Sequence, residues 1–201
     1  MADPPTARLF LALWPGSTVR ARLAAWRDAW RWPLAAETTP DDRLHLTLHF
    51  IGSVPRSRLN EIAARLDVAS RRFELTFGAA ELWPHGIAVL RPDATPAALT
   101  ALHDALRERL RALALRVEDT PFKAHVTCAR KAAGAVPPAP APRRLRWSVR
   151  GHALVESRMG RGGGYVVLRR YPALAGDGLQ RAAGNRPALE RGKRAAKTST
   201  P

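Results

Sequence analysis

Two short segments carry residue types that can move protons: His45-Leu46-Thr47-Leu48 and His125-Val126-Thr127-Cys128. Each is His-x-Thr-x with an apolar or small residue at each x. A strand repeats its side-chain direction every second residue, so His and Thr at i and i+2 share one face while the x residues point into a core. Each segment then offers an imidazole beside a hydroxyl. A neutral imidazole can take a proton from water, and an imidazolium can give one to a leaving oxygen. Two hydroxyls can donate to the non-bridging oxygens of a phosphorus centre. This chemistry suits attack of water on a phosphodiester, and it needs no metal if the hydroxyls and nearby Arg or Lys neutralise the phosphate. One His-x-Thr on a strand is commonplace. Two copies eighty positions apart in matching strand context are a reason to expect a site.

The surrounding pattern supplies elements to hold them. Arg8–Trp14 is a continuous apolar run, as in a strand covered on both faces, and Pro15-Gly16 breaks it. Ser17 or Thr18 can cap a helix on which Val19, Leu23, Trp26 and Trp30 form one stripe. Leu44–Ile51 reads as a strand closed by Gly52, and a second helix follows Pro55. Strands are expected over Phe73–Phe77 and Gly86–Arg91, and the longest helix over Pro96–Leu115. His125–Arg130 reads as a strand, followed by the extended loop Gly134–Pro142. Two last strands, Leu145–Glu156 and Tyr165–Tyr171, flank a Gly160–Gly164 turn. Mixed helices with strand pairs close in sequence predict an α+β fold with antiparallel sheet.

Other chemistry-bearing residues have plainer readings. His49 shares the His45 and Thr47 face by parity, but no zinc-like set of ligands accompanies it, so it reads as a cleft-lining or hydrogen-bonding neighbour. His103 lies beside the apolar stripe of the long helix and reads as structural. His85 and His152 read as surface or loop. Cys128 points to the wrong face for a nucleophile. Strand parity also turns Arg130 away from the site unless the strand ends or bulges there or the long side chain bends round. A tryptophan near the cleft could stack on a base, and Lys123, Lys131 and Arg158–Arg170 could form a basic rim.

The balance of 33 Lys+Arg against 17 Asp+Glu gives a net charge of +16, which attracts polyanions. The stretch 175–201 has no apolar periodicity and carries six Lys/Arg against two acids. Disorder is expected there, and most of the basicity belongs to the body, 1–174. There is no apolar run long enough to span a membrane and no secretory pattern at the N-terminus. The single cysteine allows no internal disulfide. A cytoplasmic monomer without cofactor or metal is expected.

Four segments in order resemble the 2H phosphoesterase superfamily, and within it the bacterial and archaeal RNA 2′,3′-cyclic phosphodiesterases, long called 2′-5′ RNA ligases. Arg8–Gly16 resembles the first strand of that family, and Leu44–Gly52 its first motif. Phe122–Arg130 resembles its second motif, His-x-Thr-x-x-Arg, and Leu154–Leu174 its closing hairpin. Ala124 and Cys128 depart from the usual proline and leucine. The resemblance implies two pseudo-symmetric lobes of antiparallel sheet with outer helices around a central cleft. It implies hydrolysis of an RNA terminal 2′,3′-cyclic phosphate to a 2′-phosphomonoester. It makes His45 the proton donor, His125 the proton acceptor, and Thr47, Thr127 and Arg130 the phosphate-binding residues. The alternatives are RNA ligation by the reverse reaction, and an RNA-binding module without turnover.

Overall fold

The computed structural model describes residues 5–118, 120–139, 141–158, 160 and 163–175. Its strands are β1 (Thr6–Leu13), β2 (Glu37–Thr38), β3 (Leu46–Pro55), β4 (Phe73–Trp83), β5 (Ile87–Pro92), β6 (Val126–Arg130), β7 (Leu145–Val149), β8 (Gly151–Ser157) and β9 (Tyr165–Pro172). The helices are α1 (Ser17–Asp28), α2 (Leu59–Arg65) and α3 (Ala97–Ala112). The basic stretch 176–201 lies outside the described residues, as do three of the residues about the expected glycine turn and hairpin tip.

All the strands join one antiparallel sheet in the order β7-β4-β5-β6-β3-β1-β8-β9, with β2 added on β6. The two expected lobes are its two halves. One is β3-β1-β8-β9 and the other β6-β5-β4-β7. Each contains a strand-helix-strand unit, β1-α1-β3 or β5-α3-β6, whose last strand carries a His-x-Thr segment. The helices cross over: α1 packs against β7 and β6 of the other half, and α3 against β3. Periodicity explains this, because Leu23 and Trp26 on α1, and Leu99, Leu102, Leu106 and Leu110 on α3, are all buried in one core. No side chain caps α1; Gly16 holds the N-cap position, not Ser17 or Thr18.

The halves meet on β3 and β6 through a single residue pair, Leu46 opposite Val126. Both side chains are fully buried. One ladder hydrogen bond is worth about 0.5–1.5 kcal/mol net, whereas burying a Leu or Val side chain is worth about 1.5–3 kcal/mol. Apolar burial, more than the ladder, therefore holds the two halves in register.

A single strand over Leu145–Glu156 is not what forms. The chain breaks at Arg150-Gly151: β7 pairs with β4 at one end of the sheet, and β8 pairs with β1 near the other. The sheet must curl for one connecting residue to bridge these places. Alternation runs through the break, so periodicity could not show it. Gly151 has φ +148°, and a Cβ there would lie 2.0 Å from the Tyr171 carbonyl oxygen. β3 likewise runs through Gly52 instead of stopping there, because Gly52 takes φ +85° beside a register shift against β1.

Gly151→Ala should lower stability by about 2–3 kcal/mol, the cost of forcing atoms into packed space. The urea midpoint checks this, with Gly16→Ala as control, since a Cβ at Gly16 meets nothing within 4 Å.

Candidate active site

Residues opposite each other in a ladder share a face. Leu46 and Val126 turn inward to the core, so their chain neighbours His45, Thr47, His125 and Thr127 turn to the opposite, concave face. The two histidines sit one residue before their strands begin rather than inside them. All four line one cavity of about 140 Å³, together with Arg130, Thr39, Arg43, Phe10, Phe50 and Tyr165.

The two histidines are anchored identically. His45 Nδ1 lies 2.6 Å from the Arg43 carbonyl oxygen, and His125 Nδ1 lies 2.6 Å from the Lys123 carbonyl oxygen. A carbonyl can only accept, so each Nδ1 carries the proton and each neutral ring leaves Nε2 as its basic nitrogen. Thr47 Oγ1 donates to His45 Nε2 at 3.0 Å. The arrangement gives two basic nitrogens and two hydroxyls on one small cavity.

A bulge follows each threonine. On β3, Thr47 pairs with Ala12 and His49 with Leu11, leaving Leu48 without a partner on β1. On β6, Thr127 pairs with Val89 and Ala129 with Ala88, leaving Cys128 without a partner on β5. An extra residue in one strand resets its parity. Arg130 is thereby returned to the cleft, which resolves the conflict that simple alternation created. Phe50 is returned by the same device in the other half. The bulge also takes His49 off the Thr47 face that parity assigned it; it is 4% exposed, stacks on His103 at 4.0 Å and is the hydrogen-bonding neighbour expected, donating from Nε2 to the His103 carbonyl oxygen. His103 is buried on α3, as a structural residue should be. His152 is a correction to its surface reading. It is buried, donates from Nε2 to the Leu66 carbonyl oxygen and stacks on Tyr171.

Aromatic rings surround the first histidine. Phe10 lies 4.9 Å, Tyr165 5.3 Å and Trp14 5.5 Å from the His45 ring centroid, with Trp14 stacked on it. Trp83 lies 4.6 Å from His125. Burial pushes the His45 pKa down to about 4, against a partial gain from its bond to the Arg43 carbonyl; the charges of His125 and Arg130 lower it further. His125 is lowered too, chiefly by burial, then by Arg130 and Arg91. Cys128 is 1% exposed and burial raises its thiol to about 12, so it is no nucleophile.

Several residues of this site were not legible as such. Trp14 and Phe10 belong to an apolar run that reads as buried strand. Arg43 stands two residues before His45, donates to the Gly163 carbonyl oxygen at 2.6 Å and lies over the Tyr165 ring. Arg27 is buried on α1 and holds this segment from behind, bonding the Thr39 carbonyl oxygen at 2.5 Å and pairing with Asp41 at 2.7 Å. A charged residue on the apolar side of a helix stripe was the available signal. Of the expected basic rim, Lys131 is paired with Glu37 and Arg158 with Glu156, while Lys123 stands near Trp83. Among the described residues no three His, Cys, Asp or Glu are grouped to hold a metal, and no helix is long and apolar enough to cross a membrane.

The chain is similar to proteins of one known family. The sequence model of the 2′-5′ RNA ligase superfamily matches residues 15–160. The chain is 33% identical over 193 residues to the RNA 2′,3′-cyclic phosphodiesterase of Thermus thermophilus, covering 88% of this chain and 96% of that one. It is 30% identical over 176 residues to the protein of the same name from Escherichia coli, covering 85% and 98%. The crystal structure of Escherichia coli LigT complexed with 3′-AMP superposes with a TM-score of 0.75 at 26% identity, covering 84% of this chain and 99% of that one.

The two rings can be titrated directly through their ring-nitrogen shifts. In the free protein both midpoints should fall below the usual 6.5, with His45 near about 4 and so neutral across pH 5–8. Inorganic phosphate should move both upward, because an anion favours imidazolium. Midpoints at or above 6.5 in the free protein, or no response to phosphate, would contradict the geometry.

Proposed function

The chain belongs to the 2′-5′ RNA ligase superfamily, and we propose that it hydrolyses the 2′,3′-cyclic phosphate at an RNA end to a 2′-phosphomonoester by metal-independent acid–base catalysis. The observation that carries this reading is the doubling. Two imidazoles and two hydroxyls, with the Arg130 guanidinium, line a cavity large enough for one phosphate and little more. The relatives named as cyclic phosphodiesterases support it.

In the proposed step His125 takes a proton from water as its oxygen bonds to phosphorus. The bond from phosphorus to the 3′ oxygen breaks, and His45 gives that oxygen a proton, leaving a 3′-hydroxyl and a 2′-phosphate. Thr47, Thr127 and Arg130 hold the non-bridging oxygens, where fixed donors are worth most. His45 is neutral in the free site, so its proton must be gained as the phosphate anion binds. The aromatic cage serves this: it excludes water from His45, which deepens the ring's response to one added charge. The cavity is complete within one chain, and the reading takes the protein as a cytoplasmic monomer.

The test is an RNA ending in a 2′,3′-cyclic phosphate, incubated in excess EDTA, with the product phosphate mapped. Release of a 2′-phosphate is expected; activity lost in EDTA and restored by a divalent ion would sink the mechanism. Joining to a 5′-hydroxyl RNA faster than hydrolysis would favour ligation as the main role. His45→Ala and His125→Ala should each cost about 10²–10⁴-fold in kcat. Thr47→Ala and Thr127→Ala should cost less, up to about 10²–10³-fold.

The pH dependence follows from the depressed histidines. The acid must be protonated, so kcat/KM, which reports the free enzyme, should fall with rising pH from a limb below 6.5. The corresponding limb of kcat should lie higher, since bound phosphate favours the imidazolium. Coincident limbs in the two profiles would contradict the proposed uptake of a proton on binding.

A further inference from the structure

Trp14 is shared by two sites. One side of it belongs to the cage of His45. It also walls a larger groove of about 870 Å³ between the start of α1, the β7–β8 junction and the end of β9. Arg146, Arg150 and Arg170 line that groove, and no Asp or Glu does. Arg146 is weakly paired with Glu74 at 3.8 Å, whereas among the described residues Arg150 and Arg170 meet no carboxylate. Both are exposed.

The sheet register links the groove to the phosphate-binding face. Thr47 pairs with Ala12, Ala12 with Ala153, and Ala153 with Arg170, a single cross-strand row over β3, β1, β8 and β9. Paired residues share a face, so Arg170 stands on the same side of the sheet as Thr47, three strand spacings or roughly 14 Å away. The two residues between them are alanines, buried beneath the cluster that contains Trp14 and Tyr165. The uncapped start of α1, with no acid in its first turn, adds a favourable dipole to the same groove.

We infer that this groove seats the phosphodiester backbone of the nucleotides upstream of the reactive RNA end, with Arg150 and Arg170 as its phosphate contacts. A mononucleotide has no upstream phosphodiester to reach the groove; a longer single strand leaving past Trp14 meets guanidinium groups that pair with no carboxylate among the described residues. The charge is of the right sign, at Arg150 and Arg170 is not spent on carboxylates among the described residues, and at Arg170 lies on the face that holds the reacting phosphate. The inference deepens the proposed activity and rests on it for the polarity of the strand, but binding can be read without turnover.

The experiment compares the full-length protein with an Arg150→Ala/Arg170→Ala double variant, and with an Arg65→Ala/Arg109→Ala double variant that removes equal charge from the outer helices. Affinity for a short single-stranded RNA carrying a 3′-phosphate is measured by fluorescence anisotropy at several salt concentrations. Hydrolysis of a 2′,3′-cyclic mononucleotide is measured alongside. The groove variant should bind RNA roughly tenfold more weakly. Its log–log salt slope should be smaller in magnitude by about 1.4, about 0.7 for each lost contact on a single strand. Its mononucleotide hydrolysis should be unchanged, and the outer-helix variant should match the wild type. Unchanged RNA affinity and slope in the groove variant, an equal loss in the outer-helix variant, or a parallel loss on the mononucleotide would overturn the inference. Failure of the wild type to hydrolyse any cyclic phosphate would instead count against the proposed activity, and the binding comparison would still judge the groove.

Discussion

The site depends on one cross-sheet contact. Leu46 and Val126 face each other between the halves of the sheet and turn their side chains into a common core. Because each is the x in a His-x-Thr segment, their burial forces His45, Thr47, His125 and Thr127 outward onto one concave surface. A slip of one residue in either strand would send an imidazole into the core and a leucine or valine into the cleft. The geometry of the site is thus a by-product of hydrophobic register, and the rest of the fold can be read as what maintains it.

The two bulges complete the constellation. Without them a strand could offer only every second residue to the cleft, and Arg130 would lie on the wrong face. With Cys128 lacking a partner on β5, the chain presents residues 125, 127 and 130 together. In the other half the unpaired Leu48 presents residues 45, 47 and 50. The halves then diverge in chemistry. The third position is a cation in one and Phe50 in the other, and the aromatic cage surrounds His45 alone. Pseudo-symmetry supplies two imidazoles, and this divergence gives them different environments, which is what the proposed acid and base roles require.

Much of this was legible in the residues. The His-x-Thr pairs, the helical stripes and the strand alternation yield the α+β class and the four cleft-facing motif residues, and the motif residues are those that the cavity gathers. What periodicity could not convey was every departure from periodicity. The bulges at Leu48 and Cys128 move one residue of parity, which put His49 on the wrong face and left Arg130 ambiguous. The break at Gly151 is invisible to alternation because both segments keep it; its signal is a glycine that must sit against the Tyr171 carbonyl. Trp14 and Phe10 look like core because they are largely packed, and only the fold shows that they pack against His45. Buried His152 carries no pattern that distinguishes it from a surface histidine.

The central claim is that two imidazoles act on opposite sides of a single phosphorus, one as acid and one as base. The measurement that tests it most directly compares His45→Ala and His125→Ala on two substrates: a ribose 2′,3′-cyclic phosphate and a phosphodiester with a nitrophenolate leaving group that needs no proton. Loss of the acid should be largely rescued by the good leaving group, and loss of the base should not. The account predicts rescue of His45→Ala by about 10²-fold or more relative to His125→Ala. Equal behaviour of the two variants on both substrates would contradict it.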